Sequence, residues 1–97
     1  MPSIQVKKLN ETTFEVLVQD RTPTTHIVTV TPDYMAKMCE GRFSVEQLII
    51  NSFEFLLQRE SNTSILRSFD LPVIARYFPE YEREMLKTAS LTKVGPR

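Results

Sequence analysis

Glycine, histidine and cysteine are scarce in this sequence, and tryptophan is missing altogether. Its 97 residues include two glycines, one histidine and one cysteine. The two glycines, Gly41 and Gly95, stand far apart. A phosphate cradle needs several positions without a Cβ close together, so a P-loop and a dinucleotide fingerprint are excluded. The single cysteine, Cys39, forbids an intramolecular disulfide and points to a reducing compartment. With His26 as the sole histidine, no C-x-x-C or H-x-x-x-H pair exists to start a zinc site. Apolar runs are short, as at Leu48-Ile49-Ile50, and too short for a bilayer span. The opening Met1-Pro2-Ser3-Ile4 lacks the basic and apolar stretches of a secretion leader. A cytoplasmic protein with no membrane partner, no metal and no cofactor is expected. Charge of one sign is also lacking: 12 basic residues face 12 acidic ones. Dedicated DNA-binding domains carry a basic excess that neutralises phosphates, so only a local patch remains open to nucleic acid.

What is present suits one domain. Hydrophobic residues make up 41% and charged residues 25%, enough apolar surface to offset the entropy of ordering a single core. The expected domain covers residues 1–90, with 91–97 a disordered tail. The fold class expected is α+β: an N-terminal three-stranded antiparallel meander followed by three to four short-to-medium helices.

The meander rests on alternation. Ile4 and Val6 alternate with Gln5 and Lys7, and Phe14, Val16 and Val18 with Glu15, Leu17 and Gln19. Val28 and Val30 alternate with Ile27, Thr29 and Thr31. Turns at Asn10-Glu11 and at Asp20-Arg21-Thr22-Pro23 separate the three runs. Phe14, Val16 and Val18 then face the core, while Glu15 and Gln19 stay wet.

Helical spacing follows. Thr31-Pro32-Asp33 reads as a capped start, and Gly41 as the stop of a short first helix. Ser44-Val45-Glu46-Gln47 is a capping box ahead of a helix running to about Arg59. Val45, Leu48, Ile49, Phe53 and Leu56 form its stripe. Ile50 and Leu57 widen the stripe on one flank and Phe55 on the other. The apolar arc reaches roughly 220°, against the ~100° of a helix buried on one face. Such a helix is covered twice, by the sheet and by either the C-terminal helices or a second copy. Beyond the polar break Ser61–Ser64, residues 65–69 read as a helical turn. Asp70 and Pro72 begin another helix, with Leu71, Ile74, Tyr77 and Phe78 on one face. Pro79 ends that helix, and residues 80–87 start one more. Val28, Val30, Leu48, Ile49, Phe53, Leu56, Ile74 and Phe78 are the expected packing residues.

Candidate chemistry is thin. His26 reads as a half-exposed strand histidine. Cys39, near a helix end and beside Glu40, reads as a structural thiol, since reactive thiolates want cationic neighbours. A Cys39–His26 catalytic pair is the alternative reading of these two residues. Glu80, Glu82 and Glu84 interleave with Tyr81 and Arg83 and read as a solvated helix face rather than an acid–base or cation site.

Residues 25–59 run Thr-His-Ile-Val-Thr-Val-Thr, Pro32-Asp33, a helix, Gly41-Arg42, Ser44, Glu46-Gln47-Leu48-Ile49 and Phe55-Leu56-Leu57. This order resembles the ribbon-helix-helix family of bacterial repressors and antitoxins. The resemblance implies a strand paired with a second copy's strand in the DNA major groove. Thr25, Thr29 and Thr31 would then face the groove. Arg42 with the backbone at Ser44 and Val45 would meet phosphate, and Ile50 and Leu57 would form the dimer seam. The candidate ribbon carries no Lys or Arg, its first helix is short, and two strands precede it. A second stretch, Ser52 to Glu60 with Ile65-Leu66 and Tyr77-Phe78-Pro79-Glu80-Tyr81, resembles small bacterial proteins of no assigned activity. The expected function is non-catalytic protein–protein association, first of all as a homodimer through Ile50, Phe53 and Leu57. The alternative is a DNA-binding regulator of ribbon-helix-helix type.

Overall fold

A computed structural model describes residues 3–39 and 44–86. Four strands form one sheet in the order β1 (Ser3–Lys8), β2 (Thr13–Gln19), β3 (Thr24–Thr29), β4 (Ser68–Asp70). The first three make the expected antiparallel meander, with Val6 opposite Val16 and Val16 opposite His26. The β1–β2 turn closes on Asn10, whose Oδ1 accepts the backbone N–H groups of Thr12 and Thr13 at 3.0 and 2.9 Å. This side-chain acceptor stands in for a backbone carbonyl, as asparagine does in tight turns.

Alternation decides the faces. Phe14, Val16, Val18 and Val28 are fully buried, while Gln19 and Thr25 on the other face are exposed. Among the described residues the helices pack on the buried face. Helix α1 (Pro32–Cys39) starts where the Thr31 hydroxyl accepts the Tyr34 N–H at 3.2 Å. Helix α2 (Val45–Leu57) starts at Ser44, which is extended at ψ 163° and whose Oγ accepts the Gln47 N–H at 3.1 Å. Half of the expected capping box is formed. The Gln47 side chain instead donates to Asn51 at 2.9 Å. Leu48, Ile49 and Phe53 of α2 reach the buried core shared with the sheet.

The Phe55 flank of the wide apolar arc of α2 is closed within the chain. Phe55 meets Phe78 edge-on at 5.9 Å and Tyr81 at 5.4 Å. The Arg59 guanidinium lies 3.6 Å from the centre of the Phe55 ring and bonds Glu80 at 3.4 Å, capping this aromatic group. Phe53, expected at a dimer seam, has no exposed surface and packs on His26 and Phe69. It belongs to the core and not to an outer contact.

Three further expectations are corrected beyond α2. Residues 62–64 form a 3-10 turn, and residues 68–70 form strand β4, parallel to β3, where a helical turn was expected. The reason is tertiary: β3 offers an edge that three residues can pair with, outweighing the helical spacing of Ile65, Leu66 and Phe69. Asp70 consequently ends a strand, and helix α3 (Val73–Tyr77) begins after Pro72. It ends at Phe78, extended at φ −131°, because Pro79 disfavours helical geometry in the residue before it. In so short a helix Tyr77 turns outward and is 68% exposed, unlike its expected face-mates Leu71 and Ile74. Residues 81–86 are helical, as expected. The expected Gly41 stop and the 91–97 tail lie outside the described residues.

Candidate interaction groove

One groove of about 270 Å³ opens between the end of α2 and α3. The last turn of α2 and the residues after it supply Leu56 and Glu60. The 62–66 segment supplies Ser64, Ile65 and Leu66, and β4 supplies Phe69. Helix α3 closes the far wall with Val73, Ile74 and Tyr77, and Phe78 follows. The lining side chains are apolar apart from the Glu60 carboxylate and the hydroxyls of Ser64 and Tyr77. Leu66 is 49% exposed and Tyr77 68%, so the two most conspicuous apolar side chains of this half stand at the rim. Paired apolar exposure at a recess is the usual mark of a contact surface, whereas single exposed apolar residues are ordinary.

The wall formed by 62–66 is fastened from behind by a chain of buried polar groups. Asn62 Nδ2 donates to the Thr22 carbonyl at 2.8 Å and to Thr24 Oγ1 at 2.9 Å. Thr24 Oγ1 lies 2.8 Å from His26 Nε2, and His26 Nδ1 lies 2.8 Å from the Leu66 carbonyl oxygen. A carbonyl only accepts, so Nδ1 carries the proton and donates to Leu66. Nε2 is then the acceptor of the Thr24 hydroxyl. His26 is thus fully buried, not the half-exposed strand residue expected from its polarity. Burial, foremost, and the nearby Arg67 cation hold its pKa below 6.5, against the opposing pull of the Leu66 carbonyl.

The other candidate groups are buried in the packing or bonded to neighbours. Cys39 is buried, and burial raises its pKa. Ser52 Oγ donates to the Leu48 carbonyl at 2.7 Å, so the Tyr81 hydroxyl donates to Ser52 at 2.6 Å. Burial raises the Tyr81 pKa. Two members of the carboxylate series make side-chain contacts, Glu80 with Arg59 and Glu82 with helix α1. Glu82 accepts Tyr34 Oη at 2.8 Å and Lys37 Nζ at 3.1 Å, tying α1 to the segment 81–86. Burial works to raise the Glu82 pKa, and these two bonds outweigh it and lower it. Among the described residues, no three His, Cys, Asp or Glu side chains are grouped to hold a metal ion. No helix among them is long and apolar enough to cross a membrane.

The expected contact residues are scattered. Ile50 and Leu57 are half-buried on α2. Thr25 is exposed and Thr29 half-buried on the outer face of the sheet, Thr31 caps α1, and Ser44 caps α2. Arg42 lies outside the described residues. β3 is an interior strand, hydrogen-bonded to β2 on one edge and β4 on the other. A ribbon shared with a second chain needs one of those edges. The groove itself was not anticipated. Its signal in the sequence is the apolar pair Leu66, in the expected helical turn 65–69, and Tyr77, on the expected face of the next helix. Searches against family models, curated proteins and solved structures return no match to this chain.

Proposed function

We propose that this chain works by association and not by catalysis, and that a second copy of itself occupies the groove. The groove with Leu66 and Tyr77 at its rim carries this reading. A second copy fits because the chain presents both halves of a complementary contact. The recess is apolar with one carboxylate, Glu60. The projecting Tyr77 offers a large aromatic ring and follows the exposed cation Arg76. A two-fold arrangement seats each Tyr77 in the other copy's groove and brings each Arg76 towards the other's Glu60. Among the described residues neither Glu60 nor Arg76 has an ion-pair partner within its own chain. The non-catalytic part of the reading is supported by the commitments of His26 and Cys39, the two side chains best suited to nucleophilic or acid–base work.

The test is the mass in solution by light scattering behind a sizing column, for the native chain and for Tyr77→Glu. At micromolar concentration the native chain should run as two copies and the variant as one, with unchanged circular dichroism. A native chain that stays a single copy across that range would remove the reading.

A further inference from the structure

His26 sits behind the wall of the groove, and its hydrogen bonds can be satisfied in only one protonation state. Asn62 donates to Thr24, Thr24 donates to His26 Nε2, and His26 Nδ1 donates to Leu66. Each of the three side chains is buried: His26 0%, Asn62 4% and Thr24 5% exposed. A second proton on the ring turns Nε2 from acceptor into donor. Thr24 Oγ1 then faces two donors, Asn62 and His26, and its own hydroxyl proton loses its acceptor inside the protein. A buried donor without a partner and a buried imidazolium are both costly. The groups facing the ring offer no relief. Val16 lies beside it on β2, Phe53 covers it from α2 at 5.3 Å, and Asn62 and the Leu66 carbonyl approach from the 62–66 segment. None of these titrates. The charged group acting on the ring is Arg67, a cation that opposes a second positive charge.

We propose that His26 is a neutral latch, and that its protonation releases residues 62–66 from β3 and takes apart the groove wall on which the second copy sits. The segment is well placed to move as a unit. Asn62 ties it to Thr22 and Thr24, His26 ties it through the Leu66 carbonyl, and just beyond it the Arg67 carbonyl accepts the Ile27 N–H at 2.7 Å. The pH direction follows from the depressed pKa. The latched form resists protonation and the released form does not, so the latch holds fully above 6.5 and weakens as pH falls below it. The effect on association rests on the reading of the preceding subsection. The latch itself does not.

The experiment is amide hydrogen exchange by NMR across pH, corrected for intrinsic exchange, together with the nitrogen shifts of the one imidazole in the chain. At neutral pH the ring should be neutral with its proton on Nδ1. Protection at the Ile27 and Ile65 amides should then fall by about tenfold per pH unit below 6.5, until the pKa of the latched ring is reached. Amides pairing β1 with β2 should keep their protection over that interval. His26→Gln, or His26→Phe if the first variant does not fold, should abolish the pH response at Ile27 and Ile65. A proton on Nε2 at neutral pH, flat protection at these amides, or simultaneous loss across the whole sheet would each overturn the latch. Light scattering on the same samples separates the two proposals. Local release in a chain that is always a single copy keeps the latch and removes the dimer. Flat exchange in a chain of two copies does the reverse.

Discussion

On the buried face of the meander β1 and β2 present apolar side chains, among them Phe14, Val16 and Val18, and only β3 adds polar ones, Thr24 and His26, beside Val28. Segment 62–86 is closed differently. Asn62 reaches back to Thr22 and Thr24, Leu66 receives His26, Tyr81 donates to Ser52, and Glu82 receives Tyr34 and Lys37. Apolar burial is non-directional, scales with area and responds little to pH. A buried hydrogen bond contributes less on balance but demands one geometry and one protonation state. The contrast sets the β1–β2 pairing, which rests on apolar burial, against the contact between β3 and the 62–66 segment, which under the proposed latch depends on the protonation of one ring. Among the described residues no buried side-chain nitrogen or oxygen lacks a partner, so the directional scheme is complete.

The largest expected effect lies where the two regions meet. Phe53→Ala removes the ring between His26 and Phe69, and should cost about 3–5 kcal/mol in denaturant unfolding. A cost below about 1 kcal/mol would mean that the core closes over the gap and that α2 is not the common support of both halves. Next comes Asn62→Leu, similar in size but without its donors. The Thr22 carbonyl and the Thr24 hydroxyl each lose a bond, at an expected cost of about 1–3 kcal/mol. If this change proves neutral, the Asn62 bonds do not hold the 62–66 segment, and the contrast with the meander loses its main support. Tyr81→Phe is the smallest. Ser52 keeps its bond to Leu48, no buried donor is stranded, and the expected loss is about 1 kcal/mol. A larger loss would assign the Tyr81 hydroxyl a wider role than one hydrogen bond.

The same contrast decides what could be read from the sequence. Non-directional burial leaves a periodic trace. Alternation at 14, 16 and 18 set the sheet face, and the Ser44 cap with the stripe from Val45 to Leu56 set α2. Directional contacts leave none. Thr24, His26 and Val28 share one parity on β3, so period alone placed the histidine inside, and its polarity argued it out again. Strand β4 is three residues long and exists because an edge of β3 is there to receive it. Tyr77 fits the helical spacing of its neighbours, yet α3 stops at that residue and leaves it outside. The groove draws on α2, the 62–66 segment, β4 and α3, and no local pattern joins them.

The central claim is a two-fold contact through that groove, and charge reversal tests it most directly. Glu60→Arg and Arg76→Glu are each placed to break the proposed contact between copies, whereas the two together recreate it with the signs exchanged. Rim pairs of this kind contribute roughly 0.2–1 kcal/mol, and juxtaposed like charges cost more. Dimer dissociation constants from sedimentation equilibrium should therefore weaken in each single variant and recover in the double variant. A double variant no tighter than the singles would contradict the pairing of Arg76 with Glu60 across the two copies.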